Sequence, residues 1–185
     1  MLQDFQNLLT ANGFYFVDSL GNIQHSCCVT STVKVIDFDK VKDEYCKLLG
    51  IPQLKSVDAL FLAKSINSLF LIEMKSFNPA LTKTAAQFII DHFSTRGMPA
   101  KIVDSLILIT SMIGVFNAPR ALHSALLDAN QIKVKTILLV DLNAVDMVSI
   151  TLATLDKYNI GIVNRIEPDT AVMNCPQFEA LIASL

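Results

Sequence analysis

The stretch SLFLIEMKSF, residues 68–77, constrains the fold of this chain more than any other. Its length and apolar content are those of a β-strand, in which side chains alternate between two faces. One face would carry Leu69, Leu71, Glu73, Lys75 and Phe77, and the other Phe70, Ile72 and Met74. Both faces are apolar, so the strand belongs inside a sheet covered on both sides. A carboxylate and an ammonium within such a strand are expensive unless they are paired or used.

The flanking sequence supplies the layers. Residues 2–11 read as a short amphipathic helix stopped by Asn12-Gly13. The stretch from Phe14 to Phe38 alternates and is rich in β-branched and aromatic residues, which predicts a hairpin or two short strands turning at Leu20-Gly21-Asn22. Asp39 can cap a helix over about 40–49 that Gly50 and Pro52 end. Strands over 57–63 and 69–76 are joined by the polar KSINS. Helices are expected for LTKTAAQFIIDHF and for about 100–113 and 119–129, followed by a strand at 134–142. A helix at 144–157, a strand at 160–166 and a helix at 176–184 complete the order. This is the pattern of a single α/β domain over residues 1–185, with a mixed central sheet flanked by helices.

The chain is apolar for its size, with 52% hydrophobic and 17% charged residues, against about 25% charged in ordinary domains. Part of that surplus would suit burial against a second copy, so a homodimer is expected. The net charge of −2 announces no broadly basic nucleic-acid surface. The apolar run 102–116 is shorter than a membrane span and contains Asp104, which points to a buried helix and no membrane partner. The start of the chain reads as a helix rather than a signal peptide. Cys27, Cys28, Cys46 and Cys175 show no zinc-site spacing, and the reading is of reduced, mostly buried thiols in a cytoplasmic protein.

Three carboxylates carry the chemistry. Asp58 opens the strand VDALFLA, where it shares a face with Leu60 and Leu62. An antiparallel hairpin would bring it close to Glu73, fifteen residues on. Glu44 shares a helical stripe with Val41, Tyr45, Leu48 and Leu49, and is expected to face the protein. Converging carboxylates repel, and a divalent cation relieves that cost; hard oxygen donors select Mg²⁺ or Mn²⁺. Such an ion lowers the pKa of water and polarises a phosphodiester, and Lys75 would position the water or offset charge on phosphate. Each residue also has an ordinary role: Glu73 and Lys75 as a same-face salt bridge, Asp58 as a strand-start residue, Glu44 as a half-exposed helix residue.

The segment SVDALFLAKSINSLFLIEMKSF, residues 56–77, resembles the core motif of the PD-(D/E)XK nuclease superfamily, in which an Asp-led strand, a hairpin and a Glu-x-Lys strand follow one another. The resemblance implies a restriction-endonuclease-like three-layer core over about 40–142. It also implies Asp58 and Glu73 as metal ligands, Lys75 as the catalytic lysine and Glu44 as a further acid. By analogy the backbone carbonyl of Met74 is another ligand, and Gln87 or Lys83 is an auxiliary polar group on the next helix. The residue before Asp58 is Val57 rather than proline. The function implied is metal-dependent phosphodiester hydrolysis, with DNA favoured over RNA as the partner. An RNA-cleaving endonuclease of the viral cap-snatching kind is one alternative. A catalytically silent scaffold binding protein or nucleic acid is the other.

His92 and His123 read as ordinary polar residues, while His25 lies where some cap-snatching branches place a metal-binding histidine. Asp141 ends a strand and is expected to cap the next helix. Lys83, Arg96, Lys101, Arg120, Lys133 and Lys135 are scattered and read as a solvated face. There is no glycine-rich phosphate loop, GxSxG elbow or HExxH pair.

Overall fold

The computed structural model describes residues 1–77, 88–89, 91–92, 97–128, 130–142 and 170–185. Within them the order is α1 (Leu2–Ala11), β1 (Val17–Ser19), β2 (Lys34–Asp37), α2 (Phe38–Leu49), β3 (Ala59–Ala63), β4 (Ser68–Lys75), α3 (Met98–Val115), α4 (Arg120–Leu127), β5 (Lys133–Val140), β6 (Thr170–Met173) and α5 (Cys175–Ala183). The six strands form one mixed sheet in sequential order. Strands β1 to β4 are an antiparallel meander, and β4, β5 and β6 run parallel. The chain is thus an α/β protein with an open mixed sheet.

β4 is covered on both faces, as its double-sided apolar pattern requires. Leu69 and Leu71 pack into the larger core with α1, α2, α3 and α4. Phe70, Ile72 and Met74 enter a second core on the other face, closed by Phe178 of α5 and by Leu20, Ile23 and Cys28. Helix α3 is long and apolar enough, by length and composition, to cross a membrane. Its Met98, Ile102, Leu108, Ile109, Met112 and Ile113 are buried in the larger core.

Several expectations change. β1 and β2 pair antiparallel, but residues 20–33 separate them and Leu20–Asn22 is a 3₁₀ turn rather than a tight hairpin turn. Gly21 is needed there because a Cβ would lie 2.7 Å from the Val29 carbonyl oxygen and 2.9 Å from that of Ser31. The cap of α2 is Asp37, which accepts from the Lys40 amide at 3.0 Å. Phe38 is fully buried and its N–H donates to the Asp58 carbonyl, so the helix starts before Asp39. Cys28 and Cys175 form a disulfide, with sulfurs 2.03 Å apart, where free thiols were expected. Strand β6 and the start of α5 carry Cys175 to the 20–33 segment, a proximity that spacing along the chain does not encode. The expected strand at 160–166 and helix at 144–157 lie outside the described residues, as does the helix LTKTAAQFIIDHF apart from Phe88, Ile89, Asp91 and His92.

Candidate functional site

The antiparallel register of β3 and β4 pairs Ala59 with Ile72, which places Asp58 opposite Glu73 at the end of the hairpin. Asp58 is held from several sides. Its carbonyl accepts from Phe38 N–H at 3.1 Å. Its Oδ2 accepts from the Met74 backbone N–H at 2.6 Å. The preceding residues are clamped by α3, where Ser105 Oγ accepts from Val57 N–H at 3.0 Å and Asp104 accepts from Lys55 N–H at 3.2 Å. The same helix therefore fixes both the Asp58 strand and the next residue of interest.

That residue is Lys101, in the first turns of α3. Its Nζ donates to both carboxylate oxygens of Glu73 at 2.8 Å and to Asp58 Oδ1 at 3.3 Å. Lys75 approaches the same Glu73 from β4, with its Nζ 2.6 Å from Oε1. Two carboxylates and two ammoniums thus form one neutral cluster at the C-terminal end of β4. The Glu73 side chain is 2% exposed, Lys101 22% and Lys75 31%, so the cluster opens to solvent on its lysine side.

The electrostatics follow from this packing. Burial, then the facing Glu73 carboxylate, push the Asp58 carboxyl up to about 6, against the pull of Lys101, the Met74 amide and Lys75. Burial works to lower the Lys101 ammonium, but Asp58 and Glu73 outweigh it and hold the amine above its ordinary value. Three carboxylate oxygens from two residues converge on one cationic centre. This is a hard-oxygen donor set that suits Mg²⁺ or Mn²⁺, and the Lys101 ammonium marks the place where a cation is stabilised.

The remaining candidates fall elsewhere. Glu44 is exposed and borders a surface cleft with Asn12, Phe14, Phe16, Lys47 and Leu48. The buried stripe of α2 runs through Phe38, Val41, Tyr45 and Cys46, and Leu48 lies 59% exposed, so Glu44 is turned off the core face it was expected to share. Met74 supplies its amide to Asp58 while its side chain enters the opposite core. Lys83 and Gln87 lie outside the described residues, as does Arg96. Lys133 and Lys135 pair with Ser68 and Phe70, at the other end of β4 from Glu73. His25 is exposed with a positive φ of 63°, and His123 is exposed on α4. His92 packs its ring 4.5 Å from that of Phe88. Asp141 donates its amide to the Lys75 carbonyl at 3.3 Å, and the helix it was expected to cap lies outside the described residues.

Lys101 is the residue that sequence reasoning assigned to a solvated face. A signal for it exists: Met98, Ser105, Leu108 and Met112 are buried at −3, +4, +7 and +11 from it, so Lys101 stands in the core-facing stripe of its helix. A lysine on an apolar stripe demands a buried acid, and Asp58 and Glu73 are such acids. No family model, curated protein or solved structure matches this chain.

Proposed function

We propose that the chain is a Mg²⁺- or Mn²⁺-dependent nuclease of the PD-(D/E)XK type, with a restriction-endonuclease-like core, cutting DNA in preference to RNA. The observation that carries this reading is the cation-bearing convergence of Asp58 and Glu73 across the β3–β4 register, with Lys75 on the same face. Asp58 and Glu73 would hold the ion, with the Met74 carbonyl as a further donor; when bound, the ion supplies charge neutralisation and acidifies water. The Met74 amide holds Asp58 Oδ2, which leaves Oδ1 directed towards Glu73 and Lys101. Lys75 reaches solvent while tied to Glu73, so it can orient an attacking water or offset charge on a phosphate oxygen. Lys101 occupies the cation position and must withdraw along its flexible stem for a metal to enter. Glu44 takes no part.

Lys101 also favours a second reading. A site already filled by an ammonium is a complete neutral charge cluster, which suits a catalytically silent domain that binds protein or nucleic acid. One experiment separates the two. Plasmid, single-stranded DNA and RNA are incubated with Mn²⁺, Mg²⁺ or EDTA, using wild type, Asp58→Ala and Lys75→Ala. Metal-dependent cutting that both variants lose is the expected result, and the preferred substrate is read from the same gel. No cutting on any substrate, together with no heat of Mn²⁺ binding by calorimetry, would leave the silent domain as the function.

A further inference from the structure

Three of the four cysteines meet on the opposite side of the sheet from the carboxylate cluster. The sulfurs of Cys27, Cys28 and Cys175 all lie within 4.8 Å of one another. Cys27 is the unbonded member, with its Sγ 3.9 Å from that of Cys28. They come from two segments, since Cys27 and Cys28 precede β2 and Cys175 is the first residue of α5. Adjacent residues in an extended chain point apart, so the convergence of Cys27 and Cys28 is imposed by the bends of residues 20–33. The Cys175 sulfur also lies 3.6 Å from the Cys27 carbonyl oxygen, which ties the two segments together.

We propose that Cys27, Cys28 and Cys175 form, in the reduced protein, a three-thiolate site for a thiophilic cation of the Zn²⁺ class. The donor set is soft sulfur, which selects Zn²⁺ and excludes the Mg²⁺ suited to Asp58 and Glu73. Zn–S bonds of about 2.3 Å in a tetrahedron set neighbouring sulfurs about 3.8 Å apart. The 3.9 Å between Cys27 and Cys28 already matches that edge. Cys175 sits at the N-terminus of a nine-residue helix, where the helix dipole favours a thiolate. The described Cys, His, Asp and Glu residues contribute three donors to the group, so the fourth position falls to water or an external ligand. Cys27 and Cys175 are only half-buried, which leaves a route in.

Oxidation state decides occupancy. A dithiol reductant gives two electrons and two protons to the Cys28–Cys175 bond and becomes a disulfide itself. Zn²⁺ then displaces the three thiol protons and forms three Zn–S bonds. The disulfide and the metal are alternative closures of the same loop, 147 residues apart in sequence. Cys46 is buried in the other core and takes no part.

The test is Co²⁺ titration of the reduced full chain under anaerobic conditions. One equivalent should produce thiolate-to-cobalt charge-transfer absorption, and Zn²⁺ should bleach it. Cys27→Ser keeps the disulfide pair for folding and should weaken Co²⁺ binding at least tenfold, while Cys46→Ser leaves it unchanged. In parallel, Zn²⁺ should protect Cys27, Cys28 and Cys175 from alkylation, read by peptide mass spectrometry. Absence of a charge-transfer band in folded, reduced protein would overturn the proposal. So would a band that Cys27→Ser leaves intact, or alkylation of the three cysteines unaffected by Zn²⁺.

Discussion

Replacing Lys101 with methionine probes the cluster most directly. Methionine keeps most of the stem but removes the charge that contacts Glu73 at 2.8 Å and Asp58 at 3.3 Å. Breaking a buried ion pair from one side typically costs 3–5 kcal/mol, because the partner charge is stranded. Lys101 is 22% exposed and Lys75 still contacts Glu73, so the low end applies, about 3 kcal/mol at pH 8. For a chain of this size that corresponds to a fall in Tm of roughly 6–12 °C. The loss should shrink at pH 5, because without Lys101 the Asp58 carboxyl rises further and takes up a proton. Mn²⁺ should then stabilise the two proteins by different amounts. In Lys101→Met the ion meets two carboxylates opposed by Lys75 alone, and at about 100 times its Kd it returns about 2.7 kcal/mol. In wild type it must first displace the ammonium, so the gain is smaller. Thermal unfolding by circular dichroism at pH 5 and pH 8, with EDTA or Mn²⁺, reads all four combinations. Equal Tm for both proteins at pH 8 would mean that Lys101 does not neutralise buried charge. An equal response to Mn²⁺ would mean that Asp58 and Glu73 are not a shared cation site.

Asp58→Asn isolates the raised carboxyl. A folded value of about 6 against the usual 3.8 means the folded protein binds the Asp58 proton more tightly than the unfolded chain. Its stabilising share is complete below about pH 4 and is lost as pH rises through about 6. Urea unfolding should show wild type gaining on Asp58→Asn by up to about 3 kcal/mol between pH 7 and pH 4; a constant difference would refute the shift. If the proposed site holds, Glu44→Gln should leave metal-dependent cutting and Mn²⁺ affinity within about twofold of wild type, since Glu44 is exposed and makes none of the described contacts to Asp58 or Glu73. A tenfold loss in either assay would bring Glu44 back to the metal. Gly21→Ala drives a Cβ against two backbone carbonyls and should destabilise the chain by about 2 kcal/mol in urea. A change below about 0.5 kcal/mol would show that residues 20–33 yield without cost.

The legible features were those set by local alternation. The two faces of β4, the Asp58-to-Glu73 pairing and the end of α2 at Gly50 all follow from period-two patterning, hairpin length and a residue in the left-handed region. The apolar stripe of α2 does not by itself place Glu44: Leu48 and Leu49 at its end are exposed, and the buried stripe turns through Cys46 instead. β6 is hard to read from sequence because Thr170–Met173 is only four residues long and, among the described residues, pairs with β5 alone. The disulfide and the partners of Lys101 were illegible for a common reason, although the helical stripe marks Lys101 itself as core-facing. Each depends on where a later element docks, α5 for Cys175 and α3 for Lys101, and docking is set by the whole core.

The position of the cluster also follows from the sheet. β4 is the strand at which pairing changes, antiparallel to β3 on one side and parallel to β5 on the other. A parallel neighbour requires the chain to cross back over one face, and that crossover contains α3 and α4. The crossover lays α3 on the face that carries Leu69, Leu71 and Glu73, with its N-terminal turns at the C-terminal end of β4. A lysine in the first turns of that helix therefore meets an acid near the end of that strand. The antiparallel register independently brings Asp58 to the same end. In open α/β sheets ligands bind outside the carboxyl ends of the strands. Two independent connections deliver opposite charges to such an end, so hydrophobic packing alone gives no reason for the acids to be there. Leucine at positions 58, 73 and 101 removes every buried charge of the cluster, and well-packed apolar residues often match a buried ion network in stability, which offsets the lost acceptor of the Met74 amide and the lost partner of the half-exposed Lys75. The triple variant Asp58→Leu, Glu73→Leu, Lys101→Leu should therefore keep the fold and at least most of the wild-type stability in urea while losing all response to Mn²⁺. Collapse of the fold would instead make the cluster a structural requirement and remove the argument for function.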